Sequence, residues 1–338
     1  VTSAPSLAEL QACAVPFAVP LRVPFRGVRE RSGLLLPGPA GWGEFAPFDD
    51  YPPPRAARWL AAAVEAAWDG WPAPARGSVA VNAIVPAVPA GEVAALLVEA
   101  AAAPPGGSVT VKVKVTGDLG ADRDRVAAVR AAAGPGARIR LDVNAGWTLA
   151  QARRELPLLE HAAAGLEYVE QPLTSLTEMA LLRRATGVPL AVDEALRGAD
   201  DPFDPALHEA VRQAADVAVL KVAPLGGVRP VLALAAALAM PTVISGAMDT
   251  AVGLSAGVAA ACALPVPPLA CGLGTGRLLA ADVTAEPLVP RGGRLAPVPA
   301  VPDPAALAAA RSRVSGAQER ALRERLEQAW RAGRGRAG

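Results

Sequence analysis

The chain has 338 residues and a formal net charge of +1, with 33 Lys and Arg against 32 Asp and Glu. A composition that is 52% hydrophobic and 19% charged excludes a mainly disordered chain, and the near balance of charge argues against a dedicated nucleic-acid binder. No apolar run reaches the roughly 18 residues of a membrane span, no basic-then-apolar leader opens the sequence, and Cys13, Cys262 and Cys271 are too scattered for a disulfide framework or a CxxC metal site, so a cytoplasmic setting is expected.

Extended segments are expected first over 21–25 (LRVPF), 33–37 (GLLLP) and 41–48 (GWGEFAPF), followed by a helix over 55–68. Together they read as a small α+β unit spanning 1–77. Between 78 and 284 the grammar changes to short β-branched runs, each followed by an alanine-rich helical stretch and a Pro or Gly break. The runs lie at 78–85, 108–115, 137–144, 165–171, 189–195, 217–223, 241–247 and 268–274. Eight strands alternating with helices predict a parallel (β/α)8-type barrel. An open doubly wound sheet is the other arrangement, and the lack of GxGxxG after the first strand or GxxxxGK[ST] anywhere weighs against it. The apolar run 228–240 reads as a buried helix. After a proline-rich link over 284–304, residues 305–330 carry a charged, alanine-rich helical pattern. Three placements fit this helical tail: packed on the N-terminal unit, facing a partner, or frayed; in the first, the C-terminal segment 285–338 packs on that unit. The final RAGRGRAG is expected to be unstructured.

Only three of the 33 basic residues are lysines, Lys112, Lys114 and Lys221, leaving 30 arginines. Arginine keeps its proton in proteins, whereas a buried lysine can titrate near neutrality and act as a base, so positions that retain lysine in an arginine-rich chain are informative. All three fall at the C-terminal ends of predicted strands, where a (β/α)8 barrel gathers its catalytic side chains. With a period of two, Lys112 and Lys114 share one face of their strand. The next strands end in Asp142 and Asn144, in Glu170, and in Asp193 and Glu194.

Three carboxylates converging on one edge of the mouth must either pair with the lysines or hold a divalent cation. Oxygen-only ligands without His or Cys point to a hard ion, Mg2+ with Mn2+ as a substitute. Singly, each carboxylate reads as a strand-end salt bridge or a helix cap; the one-per-strand series flanked by lysines favours the metal. A lysine base beside such a site implies proton abstraction α to a carboxylate, a pattern already described for enolase-type sites. Bringing a lysine from about 10.4 to about 7 or 8 takes roughly 4 kcal/mol, which burial and a neighbouring ammonium can supply. A small-molecule carboxylate substrate is therefore expected, with no nucleic-acid or membrane partner.

The motifs KVK (112–114), LDVNAGW (141–147), VEQP (169–172), VDEA (192–195) and LKVAPLGG (220–227) resemble, in order and spacing, the muconate-lactonizing subgroup of the enolase superfamily. The resemblance implies a modified TIM barrel with an α+β capping domain, whose specificity loops would be FRGVRERSG (25–33) and APFDDY (46–51). It implies Asp142, Glu170 and Asp193 as Mg2+ ligands, Lys114 as the acid/base, Lys112 as its electrostatic neighbour and Lys221 facing it across the substrate. A mandelate-racemase-type His–Asp pair is not implied, because His161 and His208 lie in helical stretches.

Within the subgroup the chain is most similar to the o-succinylbenzoate synthase family, through its compact loops, SGAMDT (245–250) and GLGT (272–275), and through the lack of an Asp-x-Asp at the end of the last strand. That family dehydrates 2-succinyl-6-hydroxy-2,4-cyclohexadiene-1-carboxylate to 2-succinylbenzoate in menaquinone biosynthesis. Ser245, Gly246, Arg26 and Asn144 are the implied substrate-binding candidates. N-succinylamino acid racemases and other lysine-pair racemases or epimerases share the same catalytic set and stand as the alternative, with a non-catalytic barrel the distant one.

Overall fold

A computed structural model describes residues 4–25, 28–100 and 109–334. Helix α1 (Leu7–Cys13) is closed at its start by a reciprocal cap between Ser6 and Glu9, and leads into an antiparallel sheet of β1 (Val15–Phe25), β2 (Val28–Gly38) and β3 (Gly41–Phe45). β1 and β2 are longer than the extended segments expected, and β3 stops at Phe45, short of the expected 48. Helix α2 (Pro53–Val64) starts on a proline, whose fixed φ and missing N–H suit the first helical turn.

The barrel elements follow: β4 (Val79–Ala80), β5 (Ala83–Val85), α3 (Val93–Ala100), β6 (Thr110–Lys114), α4 (Leu119–Ala133), β7 (Arg138–Asp142), α5 (Leu149–Ala163), β8 (Tyr168–Glu170), α6 (Leu176–Ala185), β9 (Leu190–Val192), α7 (Glu194–Arg197), α8 (Pro205–Ala214), β10 (Val217–Lys221), α9 (Val222–Leu225), α10 (Val228–Leu238), β11 (Thr242–Ser245) and α11 (Ala251–Ala263). Strands β5 to β11 form one parallel sheet in sequence order. Its βαβ connections place helices outside and leave the strand interiors facing one another.

Two expected strands differ. The run 78–85 is split: β4 pairs antiparallel with β12 (Arg294–Leu295), and only β5 joins the main sheet. The run 268–274 forms no strand and contributes two parallel bridges, Val81 to Cys271 and Ser245 to Gly272, across the seam between the sheet's edges. The backbones approach closely there, since a Cβ on Gly272 would lie 2.6 Å from Ser245 Oγ. A glycine-rich segment has little side chain to pack on a pleated surface, so it joins the two edges by these bridges and by a hydrogen bond from Leu269 N to the Thr242 carbonyl without forming a strand.

Among the described residues there are three apolar clusters. One fills the space between the barrel sheet and its helices; a second centres on Phe17, Leu35, Phe45 and Trp59 of the N-terminal unit and takes in Met248 and Val252; a small third gathers Tyr168, Val217, Val219 and Val243 of the barrel strands. The C-terminal segment forms α12 (Pro304–Ser312) and α13 (Gly316–Arg334). It joins the second core, with Leu326 and Ala329 fully buried and Arg323 Nη1 donating to the Gln11 carbonyl at 2.6 Å. Within the segment, Arg294–Leu295 instead pair with β4 of the barrel. Helix α13 continues to Arg334, into the stretch expected to be unstructured; residues 335–338 lie outside the described ones. Helix α10 buries a stripe of Val228, Val231, Leu234 and Leu238 rather than its whole surface, whereas α11 is buried almost all round.

Two glutamates seat the N-terminal unit on the barrel. Glu44 of β3 accepts hydrogen bonds from Thr250 N (3.1 Å), Thr250 Oγ1 (2.5 Å) and Gly253 N (3.0 Å) at the start of α11. Glu65, just past α2, accepts from Val228 N (2.5 Å) and Arg229 N (3.0 Å) at the start of α10. Each satisfies backbone donors that a helix leaves unpaired at its first turn. Among the described residues no helix is long and apolar enough to cross a membrane.

Candidate active site

Strand register decides which side chains meet. Lys114 of β6 pairs with Asp142 of β7, which pairs with Glu170 of β8, so the three form one layer across adjacent strands. Two residues lower, Lys112, Arg140 and Tyr168 form the layer beneath. Paired residues of parallel strands share a face, so both layers point into the barrel. Asp193 follows β9, and Lys221 ends β10, level with Ser245 of β11.

Lysines and carboxylates interlock. Lys112 Nζ lies 2.9 Å from Asp142 Oδ2 and 3.2 Å from Glu170 Oε1. Lys114 Nζ lies 2.7 Å from the same Asp142 oxygen and donates to Asn144 Oδ1 at 2.6 Å. Lys221 Nζ lies 2.6 Å from Asp193 Oδ2, and Arg197 Nε takes the other Asp193 oxygen at 3.0 Å. Asp142, Glu170 and Asp193 are each 1% exposed.

The electrostatics divide the two lysines of β6. Burial opposes the Lys112 charge, but Asp142 and Glu170 outweigh it and hold its pKa well above the ordinary lysine value. For Lys114, burial, aided by the Lys112 ammonium, outweighs Asp142 and lowers the pKa. Burial also works against ionised Asp142, yet Lys112 and Lys114 hold it far below the usual carboxylate range. Glu170 goes the other way: burial, then the Asp142 charge, push it up to about 7. Asp193 is lowered, since Lys221 and Arg197 overcome its burial.

Above this network lies a pocket that opens towards the N-terminal unit. Lys112, Lys114, Lys221, Asp142 and Asn144 line its floor; Phe48, Tyr51 and Trp59 of the N-terminal unit, with Ile84 and Leu278, give it apolar walls. APFDDY thus supplies Phe48 and Tyr51, as expected of a specificity loop. In the other expected loop Arg31 is buried, donating to the Met248 carbonyl at 3.1 Å, with its guanidinium 4.1 Å above the Phe48 ring. Arg26 lies outside the described residues. Ser245 and Gly246 also line the cavity, though Ser245 Oγ donates to the Gly272 carbonyl at 3.3 Å. Asn144 serves the lysine directly and donates to Glu194 Oε1 at 3.1 Å. His161 and His208 sit in α5 and α8, as expected, and His208 Nε2 lies 2.9 Å from the Pro202 carbonyl oxygen.

Three further residues shape the site. Gln171, fully buried with φ of 37°, accepts hydrogen bonds from Asp193 N (2.9 Å) and Ala195 N (3.2 Å) and so fixes the turn that carries Asp193. Non-glycine residues in the left-handed region are strained, and Asn144 (51°) and Met248 (62°) share this feature at other strand ends. Arg140, fully buried below the lysines, pairs with Glu167 at 2.5 Å and lies 4.7 Å above the Tyr168 ring. Thr275 lines the cavity with its hydroxyl buried and without a hydrogen-bond partner. VEQP and GLGT contain two of the three, but nothing in those motifs marks the glutamine as a clamp or the threonine as a cavity donor.

As the side chains stand, the lysines engage the carboxylates, and among the described residues no three His, Cys, Asp or Glu side chains are grouped to hold an ion. Two observations nonetheless fit a hard cation: the ligand atoms are all carboxylate oxygens, and Asp142 Oδ1 is buried with no hydrogen-bond partner.

Fold and site together define a class, a capped (β/α) barrel in which three carboxylates on successive strand ends are flanked by lysines. Residues 94–304 match the family model for an enolase C-terminal domain-like fold, and residues 16–67 that for an enolase N-terminal domain-like fold. An o-succinylbenzoate synthase of Thermobifida fusca (strain YX) is 51% identical over 282 residues, covering 82% of this chain and 85% of the relative. One of Mycobacterium marinum is 50% identical, covering 86% of each. Among solved structures, the N-succinyl Arg/Lys racemase of Bacillus cereus superposes with a TM-score of 0.71 at 18% identity, covering 88% of this chain and 96% of that one; at that identity the likeness concerns the fold alone. The chain belongs to the enolase superfamily and, within it, to the o-succinylbenzoate synthase family.

Proposed function

We propose that this protein catalyses the syn dehydration of 2-succinyl-6-hydroxy-2,4-cyclohexadiene-1-carboxylate to 2-succinylbenzoate, a carbon–oxygen lyase step of menaquinone biosynthesis. The observation that carries the reading is the identity of 46–51% to o-succinylbenzoate synthases over more than four-fifths of the chain, a span that includes every strand-end lysine and carboxylate described above.

The chemistry follows from the residues. Lys114 has its pKa lowered by burial and by Lys112, which suits an amine that accepts the proton α to the ring carboxylate. Asn144 and Asp142 hold that nitrogen at the cavity floor. As the Cα–H bond breaks, its electrons form the ring double bond and the C–O bond to hydroxyl breaks. The ammonium formed on Lys114 returns its proton to the departing hydroxyl, so water leaves from the face where the proton was taken and the base is regenerated. Lys221, four strands away on β10, presents its charge to the developing anion and to the aromatic product ring. Asp142, Glu170 and Asp193 are the residues that would hold Mg2+, or Mn2+ in its place; when bound, the ion stabilises negative charge on the substrate carboxylate. Ser245, Gly246 and Thr275 border the part of the cavity suited to the succinyl arm, and the apolar walls exclude water from the ring.

The reading treats 1–77 with 285–338 as the capping unit and 78–284 as the barrel; the packing of Ala310, Leu326 and Ala329 with Phe17, Leu35 and Trp59 supports joining the C-terminal helices to the first unit. It also keeps the cytoplasmic setting, with which the free thiols of Cys13, Cys262 and Cys271 agree.

The test is an ultraviolet assay of the cyclohexadiene carboxylate with purified protein and Mg2+, beside an EDTA-treated sample. Fast, metal-dependent appearance of the aromatic product is expected. Intact metal binding without turnover would refute the synthase reading and move the activity to a lysine-pair racemase.

A further inference from the structure

One polar chain at the mouth reaches beyond the barrel. Arg197 lies one helical turn after Asp193 and is buried. Its guanidinium uses all three nitrogens: Nε donates to Asp193 Oδ1 at 3.0 Å, Nη2 to Glu194 Oε1 at 2.5 Å, and Nη1 to the Tyr51 hydroxyl. Tyr51 belongs to the N-terminal unit, and its ring packs edge-on against Trp59 of α2, centroids 5.9 Å apart. The same Glu194 oxygen accepts from Asn144 Nδ2, whose amide oxygen holds Lys114. The N-terminal unit is thereby connected to Asp193 along one branch and to Lys114 along the other.

Asp193 needs such a clamp. It follows a strand of three residues and precedes a helix of four, so local secondary structure gives its carboxylate little orientation. The planar guanidinium gives Asp193 one hydrogen bond and Glu194 another, so it fixes the two carboxylates relative to each other, which the point charge of a lysine at the same place would not do. Arg197 holds one Asp193 oxygen and leaves Oδ2 turned towards Lys221 at the cavity floor. Groups that orient ligands in this way typically alter metal affinity by about 10–100-fold when removed.

We propose that Arg197 is a positioning residue, held by Tyr51 of the N-terminal unit, that orients Asp193 for metal binding and so makes the metal affinity of the barrel depend on a contact from the capping side. The inference rests on the reading of Asp193 as a metal ligand. A merely structural salt bridge would change stability and leave metal affinity alone.

The experiment titrates Mn2+ calorimetrically into the full-length wild type, Tyr51→Phe, Arg197→Met and the double variant, with melting of each in EDTA. Tyr51→Phe keeps the ring contact with Trp59 and is expected to melt within about 5 °C of the wild type, yet to bind Mn2+ about three- to tenfold more weakly. Arg197→Met is expected to lose at least about tenfold, and the double variant to bind no more weakly than Arg197→Met alone, because both changes cut the same chain. If Arg197→Met fails to fold, Arg197→Lys takes its place, with an affinity between those of the wild type and tenfold below it. Wild-type affinity in Tyr51→Phe, additive losses in the double variant, or a wild type that binds no Mn2+ would each overturn the inference. Turnover of the cyclohexadiene carboxylate by the wild type tests the synthase reading separately, so a turning-over enzyme whose variants keep wild-type affinity defeats the inference alone.

Discussion

Glu44 offers a prediction in which pH and stability are tied by one side chain. Burial, then the nearby Asp249 charge, lift its carboxyl from an ordinary 4.5 to about 7, against the pull of Thr250, Arg31 and Gly253. A carboxyl whose pKa is higher in the folded state favours folding while protonated, and that advantage is lost as pH rises from about 4.5 through 7. At about 1.4 kcal/mol per pH unit, full ionisation costs the folded chain roughly 3 kcal/mol at pH 8.5. Glu44→Gln keeps a carbonyl oxygen that can accept from Thr250 N and Gly253 N at the start of α11 and removes the charge. The variant is therefore expected to match the wild type closely near pH 5 and to exceed it by roughly 1–3 kcal/mol at pH 8.5. Urea unfolding of both proteins at the two pH values, with midpoints and slopes compared, measures this directly. A difference between the proteins that is the same at both pH values, or a less stable variant at pH 8.5, would refute the argument. Glu44→Ala serves as the contrast: it strands two buried N–H donors, and a loss of about 2–6 kcal/mol at either pH is expected.

Other outcomes follow from the site and the second core. Lys114→Arg keeps the charge and loses the base, so the protein should fold and bind Mg2+ while kcat falls by about 10²–10⁴-fold in the ultraviolet assay; activity within tenfold of the wild type would remove Lys114 from its role. Thr275→Val deletes a buried hydroxyl that has no protein partner, so thermal stability should hold while KM rises by about ten- to 150-fold, a hydrogen bond to a charged group being worth about 1.5–3 kcal/mol; an unchanged KM would place the succinyl arm elsewhere. Leu326→Ala opens a cavity where α13 meets the N-terminal core and should cost about 2–5 kcal/mol in denaturant unfolding; a change below about 0.5 kcal/mol would mean that the helix contributes no packing there.

Much of the site was legible before any coordinates. Lys112, Lys114, Asp142, Glu170, Asp193 and Lys221 announce themselves because a (β/α) barrel brings successive strand ends together, and the β-branched runs mark where those ends fall. The α+β start and the C-terminal helical pattern were visible for similar reasons of period and punctuation. The last run, 268–274, shows the limit: its composition resembles a strand, but it forms only two isolated bridges, through Cys271 and Gly272. Tertiary structure alone decided how the charges pair, with Lys112 shared by Asp142 and Glu170, Lys114 on Asp142 and Asn144, and Lys221 on Asp193. It also decided that Arg197 meets Tyr51, that Glu44 and Glu65 close helices of the barrel, and that α13 lies against the N-terminal unit. Local propensity and periodicity act over a few residues and are written in the chain. The partner of a buried charge can lie more than a hundred residues away, as Glu44 lies from Thr250, and is selected only when packing and desolvation settle which groups share a dry space.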